Sequence, residues 1–226
     1  MVWEEKKPAE EYAVSDDIVD AVFSIFCRTL PVDHAYALSQ AIQAALPWFA
    51  VEARAGLHTI HGADSGSGWM RPEDPNAFLH LSRRTKLTLR LPKHRLDDAG
   101  TLLGLTLEVA GNALRVDRLA VRPLSRITTL FSRYVVIAAD DESGFLDAAT
   151  DQLGALGIQP KKMLCGRMTS IATPARMLQT RSLMLADLTV EQSVLLQQHG
   201  LGAERKLGCG LFLPHKGIND LQRNSE

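Results

Sequence analysis

The sequence predicts an α+β fold made of two tandem βαββαβ units, and three observations predict it. Strand-like and helix-like segments follow the order β, α, β, β, α, β up to about Pro123, and the same order then begins again. The chain has 226 residues, enough for two units of about 100 residues, each with its own core. Its composition is 46% apolar and 23% charged, which excludes disordered, collagen-like and mucin-like classes.

Residues 1–15 form an acidic arm. From Ile18, a run rich in β-branched and aromatic residues, including Val22, Ile25 and Phe26, predicts a buried strand. After Pro31, Asp33 is placed to cap a helix on which Leu38, Ala41, Ile42 and Ala45 share a face, and Pro47 ends it. Residues 55–76 are rich in Gly, Ser and Pro and predict a short strand with a long loop. Lys86 to Leu91 alternates with period two: three leucines face the core, and Lys86, Thr88 and Arg90 form a basic outer face. A short helix over 97–103 and a strand or hairpin over 105–121 complete the first unit.

In the second unit, residues 127–138 form a strong strand. Phe145, Ala148, Ala149, Gln152, Leu153 and Leu156 mark a helical face that Gly157 closes. Two strands, 162–172 and 176–185, are joined through Thr173-Pro174. A helix over 189–198 opens with a Thr189-x-x-Gln192 capping box, and 211–213 supplies a last strand. Each unit is thus expected to be a ferredoxin-like (RRM-like) domain, a four-stranded antiparallel sheet backed by two helices. The expected domains are 16–124 and 125–218, with a tail over 219–226; no short-period sequence repeat accompanies them.

The charge balance, 25 Lys and Arg against 26 Asp and Glu, speaks at first against a nucleic-acid partner. Its distribution reverses that reading. Seven acids and two lysines lie in residues 1–20, so an acidic arm masks a basic body. Residues 161–216 hold eight bases against three acids, and Arg83, Arg84, Lys86, Arg90, Lys93 and Arg95 form a second cluster. No apolar run approaches the roughly 18 residues of a membrane span, and the acidic start lacks the basic region of a signal peptide, so a cytoplasmic protein with no membrane partner is expected. Cys27, Cys165 and Cys209 are odd in number and far apart, which argues against a disulfide framework and a CxxC metal site.

The strongest local motif is Gly200-Leu-Gly202-Ala-Glu-Arg205-Lys206-Leu-Gly208-Cys-Gly210. Such glycines permit positive φ and close backbone approach, so amides could turn towards a phosphate while Arg205 and Lys206 add charge. The alternative is a glycine-rich connection between helix and strand. The spacing fits neither a dinucleotide fingerprint nor a P-loop.

Four segments together resemble a known family: Leu30-Pro-Val-Asp-His34-Ala-Tyr36-Ala-Leu38, His58-Thr-Ile-His61-Gly62, Arg84-Thr-Lys86-Leu-Thr-Leu-Arg90-Leu-Pro92, and Gly202 through Lys216-Gly217. The chain resembles the CRISPR-associated repeat-processing endoribonucleases of the repeat-associated mysterious protein superfamily, the Myxan subtype most of all, over residues 18–218. The resemblance implies a metal-independent, cofactor-free cut within each repeat of the CRISPR precursor RNA. In that reaction the 2′-hydroxyl attacks the scissile phosphate, leaving a 2′,3′-cyclic phosphate and a 5′-hydroxyl. It also implies a catalytic histidine near the first helix, the place His34 occupies, where helix amides favour a neutral imidazole. His61 is the second candidate for acid or base. Tyr36 either orients the RNA, shares the proton transfer or packs. His58 and His61 together could bind metal, but no third ligand stands at a recognisable spacing.

Repeat RNA, a stem-loop, is the expected partner, together with other subunits of a type I interference complex. Its expected contacts are Arg83, Arg84, Lys86, Arg90, Arg167, Arg176, Arg181, Arg205 and Lys206, with Gly200, Gly202, Gly208 and Gly210 in the loop, forming one cleft across both domains. Aromatic residues are only 6% of the chain, so arginine contacts are expected to dominate over base stacking. Two other functions compete: a non-catalytic RNA-binding or scaffold subunit of such a complex, and a small α/β enzyme that holds a nucleotide in the glycine loop. Removing residues 1–15 is expected to leave repeat-RNA affinity unchanged or slightly higher in a binding titration; a loss would show that the arm's charge was misread.

Overall fold

The computed structural model describes residues 14–62, 71, 72, 74 and 76–215. The first 13 residues of the acidic arm, most of the Gly/Ser loop, Lys216 and the tail lie outside the described residues. The elements run β1 Ile18–Phe26, β2 Thr29–Pro31, α1 Ala35–Ala45, α2 Pro47–Val51, β3 Gly56–Leu57, β4 Phe78–His80, β5 Lys86–Pro92, α3 Leu96–Gly100, β6 Thr106–Val109 and β7 Asn112–Pro123. The second half has β8 Leu130–Val135, α4 Glu142–Ala155, β9 Lys162–Ala172, β10 Met177–Ala186, α5 Val190–His199 and β11 Leu213–Pro214.

Two antiparallel sheets organise the chain, one in the order β3-β5-β1-β7-β6 and the other β11-β8-β10-β9. Within each, the first strand of the half lies between the last and the third, and the second strand lies outside the third. A small β2-β4 ribbon is added to the first half. The fold is mixed α and β with antiparallel sheets, as the element order predicts.

In the first half, alternation sends Ala21, Phe23 and Ile25 of β1 and Leu87, Leu89 and Leu91 of β5 to one face, where they pack with Leu38, Ile42 and Phe49 of the helices. In the second half, Leu130, Leu183 and Leu185 pack under Phe145, Ala149 and Leu153 of α4 and Leu196 of α5. Both predicted helix ends of the second half are present. Thr189 and Gln192 form a reciprocal capping box on α5, and Gly157 adopts φ 74° just past α4.

Three expectations are corrected. Asp33 does not cap α1: His34 occupies that position, and Asp33 Oδ2 instead accepts the Ala172 amide of β9 at 2.9 Å. The strand expected over 127–138 is shorter, because Val136 leaves the sheet to bridge Ala203. Arg90 does alternate onto the face opposite the leucines, but that face is not open there, and Arg90 is 1% exposed. The second half covers it.

The junction between halves is a set of cations meeting carbonyl oxygens. Arg90 pairs with Asp20 through Nε–Oδ1 at 2.8 Å and Nη2–Oδ2 at 3.0 Å. Its Nη1 crosses to Phe212 O at 2.8 Å and Gln197 O at 3.1 Å. In return, Arg205 donates to Arg54 O at 3.2 Å, and Lys206 donates to Ala55 O at 2.7 Å and also to Glu52 O. Replacing Arg90 by Met is expected to destabilise the protein by about 3–5 kcal/mol, read from urea unfolding, because buried Asp20 loses its two-point guanidinium partner and Phe212 O and Gln197 O lose their donor. Lys93→Ala, which breaks the exposed pair with Asp16, is expected to leave the midpoint unchanged.

Candidate functional site

The glycine-rich loop is where sequence and structure part most clearly. Gly200, Gly202, Gly208 and Gly210 all adopt positive φ, as expected. Yet the space each leaves is filled by protein: a Cβ at Gly210 would collide with Leu201 O, at Gly202 with Val136 O, and at Gly208 with the Leu57–Thr59 strand end. The loop amides are also engaged, Gly210 N–H with Tyr134 O at 2.6 Å, Ala203 with Val136 O at 3.1 Å and Gly200 with Leu196 O at 2.7 Å. Three of these glycines serve close packing within the second half and Gly208 serves it against the first, and they do not turn a row of amides towards an anion. Arg205 and Lys206 reach across to the first half. Burial and neighbouring arginines push Arg205 down to about 10, and burial pushes Lys206 down to about 8.

Beside this junction the outer face of the first sheet and the open face of the second enclose a cleft of about 510 Å³. One wall carries Arg84, Lys86, Thr88, Asp20 and Arg122, and the other Phe131, Arg133, Tyr134 and Leu213. His58, Thr59 and His61 line it between them. Arg122 and Arg90 flank Asp20 in register on β7 and β5. Arg122 and Arg133 were not singled out by the sequence. Arg122 ends a long strand, and Arg133 sits inside an apolar run where periodicity hides its direction.

The three histidines of the expected site sit at different depths. His34 is 2% exposed, and both ring nitrogens are engaged: Nδ1 lies 2.8 Å from Pro31 O, and Nε2 accepts the Ile60 amide at 3.3 Å. This pattern requires the neutral Nδ1–H tautomer, and burial holds its pKa below the ordinary value. His61, next after Ile60, reaches the cleft, with Nε2 3.4 Å from Thr59 Oγ1. Burial, then the charges of Arg133 and the other cations around it, push its pKa down to about 3. His58 points at Asp20, Nε2 to Oδ1 at 3.6 Å, and burial lowers its pKa too. Burial pushes the Asp20 carboxyl up, but Arg90 and His58 together hold it well below the carboxylate range. Tyr36 packs against the apolar cluster that holds Tyr134, Ile171 and Leu178.

The expected RNA contacts divide into groups. Arg84 and Lys86 line the cleft, Lys86 Nζ donating to Ser24 Oγ at 3.0 Å, and Arg83 is exposed in the same turn. Arg90, Arg205 and Lys206 are built into the junction. Arg167, Arg176 and Arg181 lie on β9, the β9–β10 turn and β10 and do not line the cleft. Arg176 pairs with Glu204 at 3.3 Å and Arg181 with Glu142 at 3.7 Å. The expected single basic cleft is therefore narrower than the sequence suggested. Arg71 was not singled out either; it donates to Val32 O at 3.2 Å and faces Asp33 at 3.6 Å. Among the described residues, no group of three His, Cys, Asp or Glu is placed to hold a metal ion.

Residues 19–217 match the Cas6 Crispr family. The chain belongs to the Cas6 family. This chain is 31% identical over 197 residues to the CRISPR-associated endonuclease Cas6 of Myxococcus xanthus (strain DK1622), the match covering 87% of this chain and 81% of that protein. Similar solved structures include a RAMP protein binding different RNA substrates, at TM-score 0.60 and 12% identity over 88% of this chain and all of that one. A Cas6-related protein of Pyrococcus furiosus gives TM-score 0.58 at 11% identity over 88% and 99%. The CRISPR endoribonuclease Cse3 bound to 19 nt RNA gives 0.50 at 12% over 87% and 97%. At these identities the structures establish a shared fold, and the family resemblance read from the four segments is borne out. No helix among the described residues is long and apolar enough to cross a membrane.

The depressed histidines set an acid limit on the Cas6 fold. His34, His58 and His61 are kept neutral when folded, whereas unfolded histidine binds a proton below about pH 6.5. Stability is therefore full above that pH and falls as pH drops, for His61 down to about pH 3. The expected slope is up to about 1.4 kcal/mol per pH unit for each histidine, measured by urea unfolding between pH 7 and 5, and His61→Gln flattens it by up to one proton. Asp20, whose pKa is depressed, loses its contribution only below about pH 4, outside that interval.

Proposed function

We propose that this chain is an endoribonuclease that cuts CRISPR precursor RNA within its repeats, in the cleft between its two halves. Each half is read as a ferredoxin-like domain, residues 16–124 and 125–218. Support comes from membership of the Cas6 family, from the Myxococcus relative named an endonuclease, and from one observation above all. A partly exposed, neutral histidine, His61, stands in a cleft whose walls present Arg84, Lys86, Arg122 and Arg133.

That arrangement suits transesterification. The 2′-hydroxyl attacks the adjacent phosphorus, its proton passing to neutral His61, and the P–O5′ bond breaks to leave a 2′,3′-cyclic phosphate. The departing 5′-oxygen leaves as an alkoxide and takes its proton from solvent, while the proton accepted by His61 returns to solvent. Arg133 and the opposite bases balance the charge of the phosphorane. A bound phosphate opposes the Arg133 charge, the second cause of the His61 depression after burial, and so favours proton uptake by the imidazole. In this reading His34 positions the site: its Nε2 holds the Ile60 amide, and the next residue is His61. Tyr36 packs. The reaction needs no metal, and the partners are a repeat stem-loop and, from the family resemblance, the other subunits of a type I interference complex.

Single-turnover cleavage of repeat RNA in chelator tests this reading. His61→Ala is expected to slow cleavage by about 10²–10⁴ with little change in RNA affinity. His34→Ala is expected to slow cleavage and also lower the melting temperature, since it leaves Pro31 O and the Ile60 amide unpaired. Cleavage that stops in chelator would overturn the metal-free chemistry. RNA binding without any cleavage would favour the non-catalytic subunit.

A further inference from the structure

We propose that the open face of the C-terminal sheet is a stacking platform for an unpaired nucleobase of the bound RNA, centred on Phe131. The inference rests on the RNA-binding reading above and adds a subsite to it.

The strand register carries the first step. Leu213 of β11 pairs with Phe131 of β8, Phe131 with Met184 of β10, and Met184 with Leu164 of β9. The four side chains form one row across the sheet. Their neighbours Leu130, Met163 and Leu185 turn to the other face and pack in the α4–α5 core. The row therefore lies on the face away from the helices. Leu213 is 40% and Leu164 61% exposed, a contiguous apolar strip of the kind a protein usually keeps for a partner.

The surroundings identify the occupant. Phe131 and Leu213 belong to the cleft wall, opposite Arg84, Lys86 and Arg122. The Arg133 guanidinium lies 5.7 Å from the Phe131 ring centroid, and the His215 ring meets Phe131 edge-on at 5.9 Å. An apolar peptide would bring no charge to four cations. A nucleotide brings both a flat apolar face for Phe131 and a phosphate for the arginines, and such stacking tolerates any base. A cleft of about 510 Å³ is within the usual range for ligand pockets.

The test uses the full chain and stem-loop CRISPR repeat RNAs with unpaired flanks, intact and with single abasic sites at each unpaired position. Phe131→Ala is expected to weaken binding roughly five- to hundred-fold, and Phe131→Tyr to keep near wild-type affinity. Phe131→Leu preserves apolar bulk and guards against a folding defect; it too is expected to bind more weakly than Phe131→Tyr. One abasic position is expected to cost the wild type a similar factor and to cost Phe131→Ala nothing further. Equal affinity of the Leu and Tyr variants, or full additivity at every abasic position, overturns the platform and favours a protein partner for the strip. If the wild type itself fails to bind or cut these RNAs, the RNA reading falls with it.

Discussion

The meeting of the two halves rests on three cations that end on backbone carbonyls of the opposite half. Arg90 reaches Phe212 O and Gln197 O, while Arg205 and Lys206 reach Arg54 O and Ala55 O. Burying a guanidinium carries a large desolvation cost, which is recovered only when its hydrogen-bonding directions are filled. Arg90 has two directions filled by Asp20 and others by the second half, so its charge stays in place only when the halves are docked. Gly208 helps that docking by letting the loop approach the Leu57–Thr59 segment of the first half where a side chain would collide.

Docking in turn creates the cleft and sets its electrostatics. The outer face of one sheet and the open face of the other become its walls, and the cations that remain on those walls surround histidines kept neutral by burial. A site of this kind is prepared for a polyanion: positive potential is already present, and the histidines in it are in the form that accepts a proton. His34 lies behind the wall and holds the segment that presents His61.

Much of the fold was legible in the sequence because its signals are local. The leucine alternation of β5, the helical stripe of α1, the Thr189 capping box and the Gly157 turn need only near neighbours along the chain. What was misread depends on the other half. Arg90 alternates outward as expected, but outward there means into Phe212 and Gln197. Asp33 has the chemistry of a helix cap, and a distant strand takes its carboxylate. The glycine motif was correctly read for backbone freedom and misread for purpose, since positive φ serves close protein packing as well as it serves an anion. Of the site, His61, Arg84 and Lys86 were visible from their motifs. Arg122 and Arg133 were not, because only the meeting of two sheets shows which way they point.

The reciprocity of the junction has a consequence for how such a protein can be rearranged. Each half supplies charged donors to the other and acceptors in return, so neither retains a self-sufficient surface when separated. Splitting the gene near residue 124 would produce two fragments with matching defects, one with a stranded Arg90 and the other with a stranded Arg205 and Lys206. Their folding should then depend on each other's concentration, as in an obligate heterodimer. Two halves joined in this way would then gain and lose their structure together, unlike modules on a string.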